Sequence, residues 1–180
     1  MNFHEARIDL LRYILNKGVT YLKQIEKRNA YDKIIRNYHQ CNAQGEKVYE
    51  NLKLGKIHLV HSKKALKIID KKSTWKKARK FLHYEHSVPI KVIRGKLEEL
   101  IKKSPKIKDE DVKEIMDCTS IVVITKKEKD LLDNNPIIGT TLKDKMPDDK
   151  WPLKGDEIFS RFRHQHVKIE LEDGYMDKKL

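Results

Sequence analysis

Cysteine is nearly absent from this chain: Cys41 and Cys118 stand far apart, and no Cys-x-x-Cys pair occurs. That excludes a disulfide framework and a zinc site built from cysteine alone, and it suits a reducing compartment. Long apolar runs are lacking too, none approaching the ~18 residues of a membrane span. Glu5 and Asp9 interrupt the first apolar pattern, so it does not read as a secretory leader. The expectation is a soluble, cytoplasmic protein with no membrane partner. Negative charge is also in deficit, with 27 Asp and Glu against 40 Lys and Arg and a net charge of +13. Such an excess favours a polyanionic partner, because clustered cations release counterions from a phosphate backbone.

What is present is mostly helical periodicity. Asn2 with Glu5 forms a capping box, followed by Ile8, Leu11, Ile14 and Leu15 at helical spacing up to Gly18. A longer helix is expected from Tyr21 to about Gln40, then a short one from Glu46 to Leu54 ended by Gly55. His58 and His61 flank a short link and read as surface residues. Ser62 caps a helix carrying Ala65, Leu66, Ile68 and Ile69, and Ser73 caps the next, which contains Trp75. A proline-started helix follows Pro89, and an acidic helix starts at Asp109. Cys118 to Ile124 reads as a buried strand, and a helix follows from Lys126. Residues 136–152 read as a long irregular stretch; a last helix starts at Asp156, and a short strand spans Val167 to Leu171.

The cations are not evenly spread. Lys63, Lys64, Lys67, Lys71, Lys72, Lys76, Lys77, Arg79 and Lys80 fall in one run, opposed only by Asp70. This is the expected nucleic-acid-binding face, with Arg161 and Arg163 near the end of the last helix as further phosphate contacts. The other reading is a lysine-rich but merely solvated surface. Trp75 lies inside the run, where an aromatic either stacks on a base or anchors its helix; Ala78 and Phe81 at helical spacing favour anchoring.

Two stretches carry the chemistry. Leu82-His83-Tyr84-Glu85-His86-Ser87-Val88-Pro89 sets a carboxylate beside an imidazole on an extended segment, just before a helix. Thr119 to Glu128 is a β-branched strand running into Thr125-Lys-Lys-Glu128, a capping box at a helix start. If the stretches pack together, Glu85, His86 and Glu128 meet in one site. Alternatively, Glu128 is only the returning half of its cap, and Glu85 and His86 form a structural pair.

The order Tyr-Glu-His-Ser-Val-Pro, a strand, then Ile-Thr-Lys-Lys-Glu resembles the divergent end of the HNH, or His-Me finger, nucleases over about 45 residues. The insertion between the stretches is long and helical, where the family has a short hairpin, and the helix start holds no Asn or His. The resemblance implies a ββα-like site in which His86 is the general base on a water. Glu85 and Glu128 would then lie nearest a divalent metal ion, Mg²⁺ or Mn²⁺.

The fold expected is therefore α+β, mostly helical with a small β element carrying the site. It divides into a basic helical region, 1–80, and an α+β region, 81–180, within one unit. The function expected is a metal-dependent endonuclease, acting on DNA ahead of RNA. The alternatives are a non-catalytic basic nucleic-acid-binding protein, or an interaction partner of the toxin or phage-defence type whose lysine face meets an acidic protein. An acid beside a basic groove repels phosphate, and on sequence grounds this favours the metal-bound reading over the plain binder.

Overall fold

Three short strands, β1 (Val60–His61), β2 (Leu82–His86) and β3 (Ile121–Thr125), form one sheet in the order β1-β3-β2. The computed structural model describes residues 1–26, 30–50, 52–72, 74–134, 142–147 and 150–178. β3 is central, parallel to β1 and antiparallel to β2, with Glu85 opposite Val122 and His86 opposite Ile121. All five β3 residues are buried because both sheet faces are covered. Alternation along the strand sends Ile121 and Val123 to one face, with Ala65, Ile69 and Ala78. Val122 and Ile124 go to the other, with Leu132, Phe159 and Phe162.

Ten α-helices are described: α1 (Phe3–Asn16), α2 (Val19–Glu26), α3 (Ala30–Gln40), α4 (Leu52–His58), α5 (Lys63–Lys71), α6 (Trp75–Ala78), α7 (Ile90–Lys103), α8 (Asp109–Met116), α9 (Lys126–Asp133) and α10 (Ser160–Arg163). The mostly helical α+β expectation holds. α1, α3, α7 and α8 share a core in which Ile8, Leu11, Tyr31 and Ile35 meet Val88, Ile93, Leu97 and Val112. Apolar packing thus runs straight across residue 80.

Local expectations hold where caps define them. Asn2 and Glu5 close a capping box on α1, and the Ser62 hydroxyl accepts from the Ala65 N–H at the start of α5. Others are corrected. The long helix expected from Tyr21 to Gln40 is two helices, α2 and α3, with residues 27–29 outside the described residues. Gly55 lies inside α4 and does not end it: a Cβ there would meet the Val48 carbonyl oxygen at 3.3 Å, so glycine serves close backbone approach. The strand expected from Val167 to Leu171 reduces to one bridge, Leu171 with Ser62, because Lys168 turns the backbone at φ +48°. Ser73 and residues 135–141 and 148–149 fall outside the described residues, and with them the Ser73 cap and part of the expected loop.

His61 is fully buried rather than on the surface. Its ring Nδ1 lies 3.1 Å from Glu172, whose Oε1 also accepts the His61 backbone N–H at 2.6 Å. Lys178 then bonds both Glu172 oxygens at 2.8 Å and donates to the carbonyls of Lys56 and Leu59, near the C-terminal end of α4. A segment more than 100 residues away supplies these partners.

Candidate nucleic-acid interface and the Glu85–His86 pair

β2 delivers Glu85 and His86 to the same end of the sheet but into different surroundings. Glu85 shares the Val122 face of the sheet, where it meets Arg161 of α10. Arg161 is completely buried. One guanidinium nitrogen, Nη2, donates to Glu85 Oε1 and, at 2.7 Å, to the His86 carbonyl; the other, Nη1, donates to the Leu142 carbonyl at 2.6 Å. The second Glu85 oxygen lies 3.1 Å from His83 Nε2. Burial pushes the Glu85 carboxyl up, but the His83 hydrogen bond and the charge of Arg161 outweigh it and leave it below the ordinary value. Both carboxylate oxygens are engaged by the protein itself.

The His86 side chain is 5% exposed and packs edge-on against His39 of α3, ring centroids 5.4 Å apart. Its Nε2 is buried without a partner among the described residues. Burial first, then the charges of His39, Arg36, Arg161 and His83, hold its pKa well below the usual imidazole range. His86 is therefore an uncharged imidazole at neutral pH. The chain leaves β2 through a buried polar turn: the Ser87 N–H donates to the Ser120 carbonyl at 2.7 Å and the Val88 N–H to Thr119 Oγ1 at 3.0 Å. That turn fixes His86 just before α7.

Glu128 lies elsewhere. Its Oε2 accepts from the Ser62 hydroxyl at 2.7 Å, the Thr125 N–H at 2.8 Å and the Thr125 hydroxyl at 3.0 Å, and the residue is 2% exposed. Ser62 follows β1, whereas Glu85 is on β2, so these two residues flank β3 from opposite sides. Along β3 the register separates Val122, opposite Glu85, from Thr125 by ~10 Å. Glu85 and Glu128 are not brought together, and each carboxylate already has its donors. Among the described residues no group of three or more His, Cys, Asp or Glu side chains is placed to hold a metal ion. The expected ligand pair does not fit a divalent ion in this arrangement.

Replacing Glu128 by alanine is expected to cost about 2–4 kcal/mol, because α9 loses its capping partner and the Ser62 and Thr125 donors are left buried and unpaired. Urea unfolding with EDTA and with Mg²⁺ tests this. The same loss in both buffers marks a cap; a loss appearing only with Mg²⁺ would return Glu128 to the metal.

The basic run forms a different kind of surface. Lys63, Lys64, Lys67, Lys71, Lys72, Lys76, Lys77, Arg79 and Lys80 are all exposed, on α5, α6 and the turns beside them. Asp70, the acid within the run, is drawn off by Lys56 at 2.8 Å, and Lys63 faces Asp173 at 3.2 Å. Lys64, Lys67, Lys71, Lys76, Arg79 and Lys80 have no ion-pair partner among the described residues. α5 places Ala65 and Ile69 against the sheet and Lys64, Lys67 and Lys71 in one outward stripe, the i, i+3, i+7 pattern of an amphipathic helix.

One expected phosphate contact is corrected: Arg161 is a core residue with no access to solvent. Arg163 is exposed, pairs with Asp156 and donates to the Asp156 carbonyl at 2.8 Å. Sequence reasoning also missed three residues at the edge of the face. Phe81, expected to pack inward, is 49% exposed. Lys126 and Lys127, exposed at the start of α9, adjoin it, since the Lys126 N–H donates to the Phe81 carbonyl at 2.9 Å. The Trp75 side chain lies outside the described ones, and its expected anchoring with it. No helix among the described residues is long and apolar enough to cross a membrane. No protein-family model, curated protein or solved structure matches the chain.

Proposed function

We propose that this chain is a nucleic-acid-binding protein that holds the phosphate backbone on the α5–α6 face, with Glu85 and His86 serving its core. The observation that carries this reading is the exposed, largely unpaired row of cations whose own acid, Asp70, is turned away to Lys56. Six cations without ion-pair partners among the described residues leave six charges to exchange for condensed counterions, which is what a phosphate backbone rewards. The objection raised by Glu85 falls away, because Arg161 neutralises it from within. Both DNA and RNA present this charge.

The endonuclease reading retains one supporting observation, the uncharged His86 imidazole with an unpartnered Nε2. A general base needs that protonation state. It also needs a reachable water, and the His86 ring is buried against His39. The binder reading is therefore preferred.

The test is titration of labelled DNA and RNA with the protein and with a Lys64→Glu, Lys67→Glu, Lys71→Glu variant, at several salt concentrations. Wild-type affinity is expected to fall steeply with salt, and the variant to bind at least about tenfold more weakly with a shallower salt slope. Equal binding by the two proteins would overturn the assignment of the face. Incubation with plasmid and structured RNA in Mg²⁺, Mn²⁺ or EDTA separates the two readings. Intact, retarded nucleic acid is expected for wild type and for His86→Ala; metal-dependent cleavage lost in His86→Ala would restore the nuclease.

A further inference from the structure

The face proposed above carries an aromatic ring that packing does not require. Phe81 is 49% exposed in a chain that buries Phe159 and Phe162 almost completely. Leaving half a phenylalanine in water forgoes hydrophobic stabilisation, and the surroundings of this ring are cationic. Lys72 Nζ stands 5.2 Å from the ring centroid, Arg79 and Lys80 precede Phe81 in the chain, and Lys126 and Lys127 lie beside it at the start of α9. The backbone that carries the ring is also held in place. The Phe81 N–H donates to the Ala78 carbonyl at 2.9 Å and its own carbonyl accepts from the Lys126 N–H, which ties the residue to α6 and to α9 just ahead of β2.

A solvent-facing aromatic on an anchored stretch of backbone, among cations suited to phosphate, is the arrangement that recognises unpaired bases. Every base has a π-face, and stacking adds to phosphate contacts without requiring a sequence. In duplex DNA or RNA those faces are already stacked within the helix and withheld. From the exposed Phe81 ring and the cations of α5, α6 and α9 around it, we infer that the face binds single-stranded nucleic acid, with one base stacked on Phe81. This inference rests on the nucleic-acid reading above and narrows its substrate class.

The experiment compares a fluorescent unstructured 12-mer with a hairpin duplex of similar charge, binding both to wild type, Phe81→Ala, Phe81→Tyr and the Lys64→Glu, Lys67→Glu, Lys71→Glu variant. Wild type is expected to prefer the single strand. Phe81→Ala is expected to lose about 5- to 100-fold affinity for the single strand and little for the duplex, with Phe81→Tyr restoring most of it. Circular dichroism and thermal unfolding of each variant separate loss of the ring from loss of the fold, and the Phe81→Tyr protein keeps the test decisive if alanine fails to fold. Equal losses for the two ligands in Phe81→Ala, a duplex preference in wild type, or single-strand binding unchanged by alanine would each overturn the inference while leaving the basic face intact. Absence of binding to either ligand by wild type would overturn both readings together.

Discussion

Replacing Arg161 by methionine is expected to destabilise the protein by about 3–5 kcal/mol, a large fraction of the stability of an ordinary domain. The guanidinium is fully buried and has four acceptors: the Glu85 carboxylate and the carbonyls of His86, Leu142 and Lys143, the last at 3.4 Å. Methionine fills much of the volume but leaves Glu85 as a nearly buried charge with His83 as its remaining hydrogen-bond partner. The carbonyls lose their donor as well. Glu85→Gln leaves the Arg161 charge without its counter-ion but is expected to cost less, because the amide oxygen and three backbone carbonyls still accept from the guanidinium. The double variant, Glu85→Gln with Arg161→Met, should lose less than the sum of the two. Urea unfolding of the four proteins measures the coupling. Strict additivity would show that the pair is incidental, and a stable Arg161→Met protein would show that Glu85 has another partner.

The second large effect is on acid stability. His39 is buried, with Nε2 2.8 Å from the Met116 carbonyl, and burial lowers its pKa to about 4. The hydrogen bond to the Met116 carbonyl, the nearby Ile35 carbonyl and the charge of Asp117 oppose that shift, and His4 adds to it. His86, packed edge-on against His39, is lowered as well, for the reasons of burial and neighbouring charge already given. An unfolded histidine titrates near 6.5. Between about pH 6.5 and 4, therefore, the unfolded chain takes up protons that the folded one refuses. Stability is fully present above about pH 6.5 and is lost as the pH falls toward the folded pKa values. For His39 alone the loss is roughly 3 kcal/mol, with His86 adding to it. Unfolding curves at half-unit steps from pH 7.5 to 4.5 should show this decline, well before most carboxylates titrate. His39→Leu and His86→Leu should each have a flatter profile, whatever their stability at pH 7.5. A variant with the wild-type slope would show that its histidine is not part of the acid response.

How far the sequence reaches is clearest at Glu85 and Glu128. The Thr125–Glu128 capping box was legible because cap chemistry spans three residues, and the structure contains it. The cap on α5 was legible for the same reason, as were the buried β-branched strand β3 and the amphipathic faces of α1 and α7. Each depends on spacing within one element. The outward row of lysines on α5 also follows from sequence alone, since periodicity places Ala65 and Ile69 on the face opposite Lys64, Lys67 and Lys71. The proposal for function rests on that row.

Tertiary structure decided everything that depended on a partner distant in the chain. Glu85 reads as an unpaired acid in its own stretch, and its counter-ion lies 76 residues away on α10. Arg161 and Arg163 look alike in sequence, yet packing beside Phe162 and the sheet buries one and leaves the other exposed. His61 met Glu172 and Lys178 in the same way, and Phe81 turned outward because α6 ends at Ala78 before helical spacing could carry it into the core. The physical division is one of range. Caps and periodicity are satisfied by neighbours within a turn or two of the backbone, so the sequence by itself determined the capped helices, the central strand and the basic face. A buried charge is satisfied only by whatever the fold brings to it, so the roles of Glu85, His86 and Arg161 were decided by the packing of β2 against α3 and α10.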